Sequence, residues 1–119
     1  MLTTNKFTIV NPNETLVKVL ERMTKFGIGH CCIIDEQAKL VGVFTDGDFR
    51  RLILSIQKPL PALLLDEISK HMSTNPKTVF ADSLVVELKN TMLSFKIWDL
   101  PVIDRDNKLI GLIHMSSIL

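Results

Sequence analysis

The chain repeats itself. Ile34-Asp35 returns as Ile103-Asp104, and Lys39-Leu40-Val41-Gly42 returns as Lys108-Leu109-Ile110-Gly111, each 69 positions on. The same offset carries Met23 to Met92, Phe26 to Phe95 and Ile28 to Ile97, with no gap needed between Asn13 and Phe49. Nearer the start, Leu16 aligns with either Leu84 or Val85. A duplication constrains the fold more than local propensity does, because each copy is one supersecondary unit that its neighbour must help to bury. A unit of fewer than ~50 residues cannot cover both faces of its own small sheet. Two copies stacked sheet to sheet, about a pseudo-twofold axis, are therefore expected.

Each copy reads alike. Asn13 and Asp82 are expected as helix N-caps, since their side-chain oxygens accept from first-turn N–H groups. Behind them Leu16, Val19, Leu20, Met23 and Phe26 follow helical spacing, and Val85, Leu88, Met92 and Phe95 repeat it. Two short apolar runs follow, 30–34 and 40–44, around the polar turn Asp35-Glu36-Gln37-Ala38; their counterparts are 100–103 and 109–113. Gly42 and Gly111 mark a close backbone approach inside the second run of each copy. A second helix is expected over 47–56, and lead-in strands over 7–10 and 78–80. The fold class is therefore α/β (α+β), each copy a small sheet packed with two helices. Repeat one spans 1–57, a connector carrying Pro59 and Pro61 spans 58–71 with a short helix near 64–68, and repeat two spans 72–119, ending inside its expected second helix.

Composition narrows the function. Of 119 residues, 46% are hydrophobic and 23% charged, with a net charge of +1. That balance is not that of a disordered tail, and it supplies no basic field for nucleic acid. No apolar run approaches a membrane span, and the Met1 segment lacks a basic start followed by an apolar stretch. Cys31 and Cys32 are neighbours in an expected strand, so they point to opposite faces and are not expected to pair. A cytoplasmic location is expected. His30, His71 and His114 are scattered and do not show metal-ligand spacing, and Ser116-Ser117 beside His114 has no third group to orient a base. Trp98 stands where copy one has Gly29 and reads equally as packing or as an interface anchor.

Candidate binding residues cluster at the end of copy one, in Gly42-Val43-Phe44-Thr45-Asp46-Gly47-Asp48-Phe49-Arg50-Arg51. This is a strand running into a helix N-terminus, whose unpaired N–H groups and partial positive charge suit a phosphate. Thr45, Asp46 or Asp48 can cap the helix, and an Asp carboxylate beside it can accept both hydrogen bonds of a ribose diol. Arg50 and Arg51 add positive charge if turned inward. The bland alternative is a capped helix with solvated charges.

A duplicated helix-strand-strand unit whose second strand ends in Gly-h-x-Thr-x-x-Asp resembles a pair of CBS (cystathionine-β-synthase-type) domains. That resemblance implies ribose or phosphate contacts from Thr45 and Asp48, and a base lying in the cleft between copies near Ile9, Val10, His30 and Cys31. Copy two departs from the pattern: His114 replaces Thr45 and Ser117 replaces Asp48, so at most one full nucleotide site is expected. The run 42–51, Met72 with Asn75-Pro76, the stretch 96–104 and Gly111-Leu112-Ile113-His114-Met115 are similar to the C-terminal part of bacterial arabinose-5-phosphate isomerases. The run Thr45-Asp46-Gly47-Asp48 onward also resembles CBS pairs fused to sugar nucleotidyltransferases.

The resemblance implies a regulatory module without catalytic or metal-binding residues of its own, and without a required cofactor. Its ligand would be an adenine nucleotide (AMP, ADP or ATP) or, from the pathway, the nucleotide-activated sugar CMP-Kdo. Its partners would be a sugar isomerase domain and a second copy in a homodimer, with neither nucleic acid nor membrane. A structural dimerisation module with an empty cleft, and a small enzyme, are the competing readings.

Overall fold

The computed structural model describes residues 1–82, 85–95 and 99–114. Repeat one contains β2 (Thr8–Val10), α1 (Leu16–Phe26), β3 (His30–Ile34), β4 (Leu40–Thr45) and α2 (Asp46–Ser55), preceded by β1 (Leu2–Thr3). The connector holds α3 (Leu60–Leu64) and a 3-10 turn at Ile68–Lys70. Repeat two contributes β5 (Val79–Phe80), α4 (Val85–Phe95), β6 (Asp99–Ile103) and β7 (Leu109–His114). The expected second helix of repeat two lies outside the described residues.

The strands form two sheets, ordered β2-β3-β4 and β1-β7-β6-β5. In each repeat the lead-in strand runs parallel to the next strand, which pairs antiparallel with the third. The duplication reaches into detail. Asp35 Oδ1 accepts from the Gln37 and Lys39 N–H groups, and Asp104 Oδ1 from Asp106 and Lys108, at 2.9–3.0 Å. Ala38 and Asn107 both take φ 65°, and both ladders shift register at the same place, Ile33/Ile34 and Val102/Ile103. Where the two turns meet, Leu40 N–H donates to Asn107 O (3.0 Å) and Leu109 N–H to Ala38 O (3.1 Å). Each bond is the image of the other under the 69-residue shift, so the pseudo-twofold axis passes between Lys39 and Lys108.

Strand alternation divides the core into three. One face of β3 sends Cys31 and Ile33 against α1, where they join Leu16, Val19, Met23 and Phe44. The other face sends Cys32 into the interface between repeats, with Phe7, Leu40, Val43, Ile103 and Leu112. Leu88, Met92, Leu100, Val102 and Ile113 form the equivalent helical core of repeat two. The two adjacent cysteines therefore serve different cores, both as free thiols. Burial pushes the Cys31 thiol up to about 12 and the Cys32 thiol higher still, so neither is a ready nucleophile.

Two local expectations are corrected. α1 begins at Leu16 with Thr15 at its N-cap, not at Asn13. The Asn13 N–H instead bonds to Asn11 Oδ1, and the connector meets the helix start: Leu16 N–H donates to Asp66 O (2.9 Å) and Ile68 N–H to Glu14 O (2.7 Å). Backbone from elsewhere in the chain has replaced a side-chain cap. The cap of α4 lies outside the described residues; the Asp82 carboxylate meets the Arg105 guanidinium, which also lies over the Phe80 ring. The connector helix falls at Leu60–Leu64 and not at 64–68. Leu63 and Ile68 are fully buried in the repeat-one core, so the connector is packed as part of that repeat. The end of α1 follows ordinary chemistry, with Gly27 in the left-handed conformation (φ 67°) accepting the helix stop.

The connector also links the repeats. Val43 and Ser73 exchange backbone hydrogen bonds at 2.9–3.0 Å, so the entry to repeat two pairs with β4 of repeat one. The mirror arrangement pairs β1 with Gly111 and Leu112 of β7. Both contacts pass close to a glycine. A Cβ on Gly111 would stand 2.6 Å from Leu2 O, and one on Gly42 would stand 2.6 Å from Met72 Sδ and 3.0 Å from Ser73 O. Gly42→Ala is expected to lose about 1–3 kcal/mol through overpacking, a fall of several degrees in thermal denaturation followed by circular dichroism. An unchanged melting temperature would show that the segments pass less closely.

Candidate functional site

β4 delivers Thr45 in extended conformation (φ −121°, ψ 166°) directly into α2. The Asp48 N–H donates to Thr45 Oγ1 (3.1 Å), and the Thr45 N–H donates back to Asp48 Oδ2 (2.9 Å). This reciprocal capping box satisfies two otherwise orphaned N–H groups. Asp48 Oδ1 also accepts from Arg51 Nη2 at 2.7 Å. Two acceptor sites of the carboxylate are thereby used and two remain, enough for the vicinal hydroxyls of a ribose. The Asp46 N–H donates to Gly29 O (3.1 Å), tying the helix start to the residue before β3. A Cβ on Gly29 would lie 2.2 Å from Asp46 Oδ2, so a larger residue there would have to turn the exposed Asp46 carboxylate aside. The Gly47 N–H takes part in none of these bonds.

These groups form one wall of a cleft of about 580 Å³ between the repeats. Gly29, His30, Val43, Thr45, Asp46, Gly47, Asp48, Arg50 and Arg51 come from repeat one. Ser73, Pro76 and Lys77, which lead into β5, and Asp99 and Pro101 of β6 come from repeat two. Alternation explains the wall: His30 and Cys32 share a face of β3, and Cys32 is sealed in the interface while His30 stands where it opens. Asp99 is the counterpart of His30 under the 69-residue shift, and the two line the cleft together.

The electrostatics are mixed. Arg50, Arg51 and Lys77 supply positive charge, while Asp46, Asp48 and Asp99 supply negative charge. His30 is 5% exposed and its Nε2 has no hydrogen-bond partner among the described residues. A buried polar atom left unsatisfied costs roughly 1–3 kcal/mol. Burial holds the imidazole below its ordinary range, with Asp99 and then Asp48 pulling the other way.

The structure thus brings Thr45, Asp46, Asp48 and His30 into one cleft and sets the other expected residues apart from it. Val10 is packed in the repeat-one core and Ile9 against the interface; both edge a different hollow, of about 570 Å³, at the far end of β3. Cys31 is fully buried on the opposite face of β3 from His30. His114 ends β7, where its Nδ1 is hydrogen-bonded to Asp99 Oδ1, and it is not among the residues lining the cleft. Ser117 and Trp98 lie outside the described residues. Among the described residues no group of three or more His, Cys, Asp and Glu side chains is placed to hold a metal ion, and no helix is long and apolar enough to cross a membrane.

Sequence reasoning missed Gly29, Ser73, Lys77 and Asp99. It took the second wall from the lead-in of repeat one, whereas the crosswise packing supplies the lead-in of repeat two. The signal for Asp99 was available, since applying the 69-residue shift to His30 lands on it. Thr45→Ala should cost about 1 kcal/mol by removing the cap, whereas Thr45→Ser should stay within a few tenths, as chemical denaturation would read. Equal losses in the two variants would contradict the capping role.

Comparison with known proteins agrees with this fold. The CBS domain family matches twice, at residues 2–55 and 65–119. The arabinose 5-phosphate isomerase KdsD of Pseudomonas aeruginosa is 35% identical over 105 residues, covering 88% of this chain and 31% of that protein. The arabinose 5-phosphate isomerase GutQ of Salmonella typhi is 31% identical over 103 residues, covering 87% of this chain and 30% of that protein. The chain therefore spans about a third of the length of these relatives. Among solved structures, CBSX2 in complex with AMP superposes with a TM-score of 0.86 at 25% identity, covering 99% of this chain and 88% of that one. The CBS domain pair of MJ0100, in complex with 5′-methylthioadenosine and S-adenosyl-L-methionine, superposes with a TM-score of 0.81 at 22% identity, covering 98% and 88%. With both copies matched and the two-sheet architecture shared, the chain belongs to the CBS domain family and is a tandem CBS pair.

Proposed function

We propose that this CBS pair is a regulatory module that binds an adenine nucleotide in the cleft between its repeats and modulates an arabinose-5-phosphate isomerase domain of the parent protein. The observation that carries the reading is the cleft itself, in which Thr45 and Asp48 at the start of α2 face Lys77 and Asp99 of the other repeat. A ribose meets the free lone pairs of Asp48, and a phosphate meets the first turn of α2 with Arg50, Arg51 and Lys77 around it. The AMP carried by CBSX2 and the adenosyl ligands carried by MJ0100 support the ligand class, and the KdsD and GutQ relatives support the parent enzyme. CMP-Kdo is the second ligand candidate, on the strength of that parent alone.

Regulation follows from where the ligand sits. Its walls belong to different repeats, so a ligand that binds one relative packing better shifts the pair toward it. The attached domain then feels a coupling free energy. The module does no chemistry itself in this reading; turnover of the sugar phosphate belongs to the isomerase domain. Leu54 (81% exposed), Leu65 (70%), Leu60 (49%) and Ile53 (45%) leave apolar surface on α2 and the connector, which supports a homodimer through that side of repeat one.

A thermal-shift comparison of AMP, ADP, ATP, S-adenosylmethionine, CMP and CMP-Kdo tests the assignment. A ligand at a hundred times its dissociation constant adds about 2.7 kcal/mol, roughly 10 °C for a domain of this size. The expected result is a shift with an adenine nucleotide that disappears in Asp48→Ala, each protein measured against its own unliganded baseline. A shift with CMP-Kdo alone would move the ligand class to cytidine. No shift with any compound, in a folded sample, would leave a structural dimerisation module.

A further inference from the structure

His30 stands beside the phosphate end of the cleft. It is the register partner of Thr45 across β3 and β4, and directly opposed residues of an antiparallel pair present their side chains on one face. α2 begins at the next residue, so the imidazole flanks the helix start where an anion is most favoured. It is 95% buried by its 5% exposure, it lines the cleft, and its Nε2 has no partner among the described residues. Nε2 itself is sealed in the empty cleft, so a small turn of the ring is needed for a ligand group to complete its hydrogen bonding.

We propose that His30 is a phosphate-side contact of this cleft and that an anionic ligand is captured together with one proton from solvent on its imidazole. This rests on the reading of the cleft as a nucleotide site. The groups that bear on the ring are Asp48 of α2 and Asp99 of β6. Asp46, Arg50, Arg51 and Lys77 line the same cleft, and His114 is bonded to Asp99. In the empty cleft, burial opposes the two carboxylates and favours the neutral ring. A phosphate adds further negative charge against a buried imidazole and reverses that balance. The protonated ring donates from both nitrogens, so Nε2 gives the phosphate a charge-assisted hydrogen bond that the neutral ring cannot. A nucleoside brings the same base and ribose without the charge, and should draw no proton. His30 would thus make the site select nucleotides over nucleosides, more strongly as pH falls.

The test uses AMP and adenosine with the whole chain. Calorimetric titration in two buffers of different ionisation enthalpy counts protons, and long-range ¹H–¹⁵N spectra report the state of the His30 ring in the unaltered protein. AMP is expected to take up close to one proton and to bind about tenfold tighter for each unit of falling pH near neutrality. The His30 nitrogens should move from a neutral to a protonated pattern, adenosine should do neither, and His30→Gln should bind AMP with a weaker pH dependence. AMP binding with His30 still neutral, or with the same uptake in His30→Gln, would place the proton on the phosphate or His114 and overturn this inference alone. Failure of both compounds to bind would overturn it together with the nucleotide site.

Discussion

The structure depends on a pair of backbone hydrogen bonds that are images of each other. Leu40 to Asn107 and Leu109 to Ala38 join the two hairpin turns across the pseudo-axis, and they fix how one sheet lies on the other. Neither sheet could stand without its partner. The interface face of β3 and β4 carries Cys32, Leu40 and Val43, and it is covered by Ile103 and Leu112 of the other repeat. The bridge sets the register, and the apolar interface supplies the stabilisation, on the order of 1.5–3 kcal/mol for each large side chain fully buried.

The cleft is a consequence of that packing. Two twisted sheets joined near one set of turns leave a gap where the strands end, and the gap is walled by whatever sits at those ends. In repeat one that is His30, Thr45 and the start of α2; in repeat two it is Asp99 and the segment leading into β5. The entry to each repeat pairs with the last described strand of the other, Ser73 with Val43 and Leu2 with Leu112. A shift in the angle between repeats therefore moves both walls of the cleft. Binding in it and packing of the pair are one equilibrium, which is the property a regulatory module needs.

Much of this was legible from residues. The 69-residue shift and the alternation around Cys31 and Cys32 were enough for the two sheets, the opposed faces and the close approach at Gly42. The capping role of Thr45 and Asp48 was readable because its chemistry is local. What stayed hidden depends on contacts between distant segments. Nothing near Leu16 announces that Asp66 will meet its N–H, or that the helix will start there and not behind Asn13. β1 is two residues long and carries no periodicity. The second wall of the cleft escaped for the same reason: Ser73 and Lys77 reach it because the repeats pack crosswise. Asp99 was within reach, since the duplication itself maps His30 onto it.

The central claim is that one ligand is held by both repeats at once. Backbone amide chemical-shift mapping on titration with AMP tests it most directly. Coincident changes are expected at Thr45, Asp46, Gly47 and Asp48 in repeat one and at Ser73, Lys77 and Asp99 in repeat two, all saturating with a single dissociation constant. Changes confined to one repeat, or centred on the hollow beside Val10 and Arg22, would contradict it.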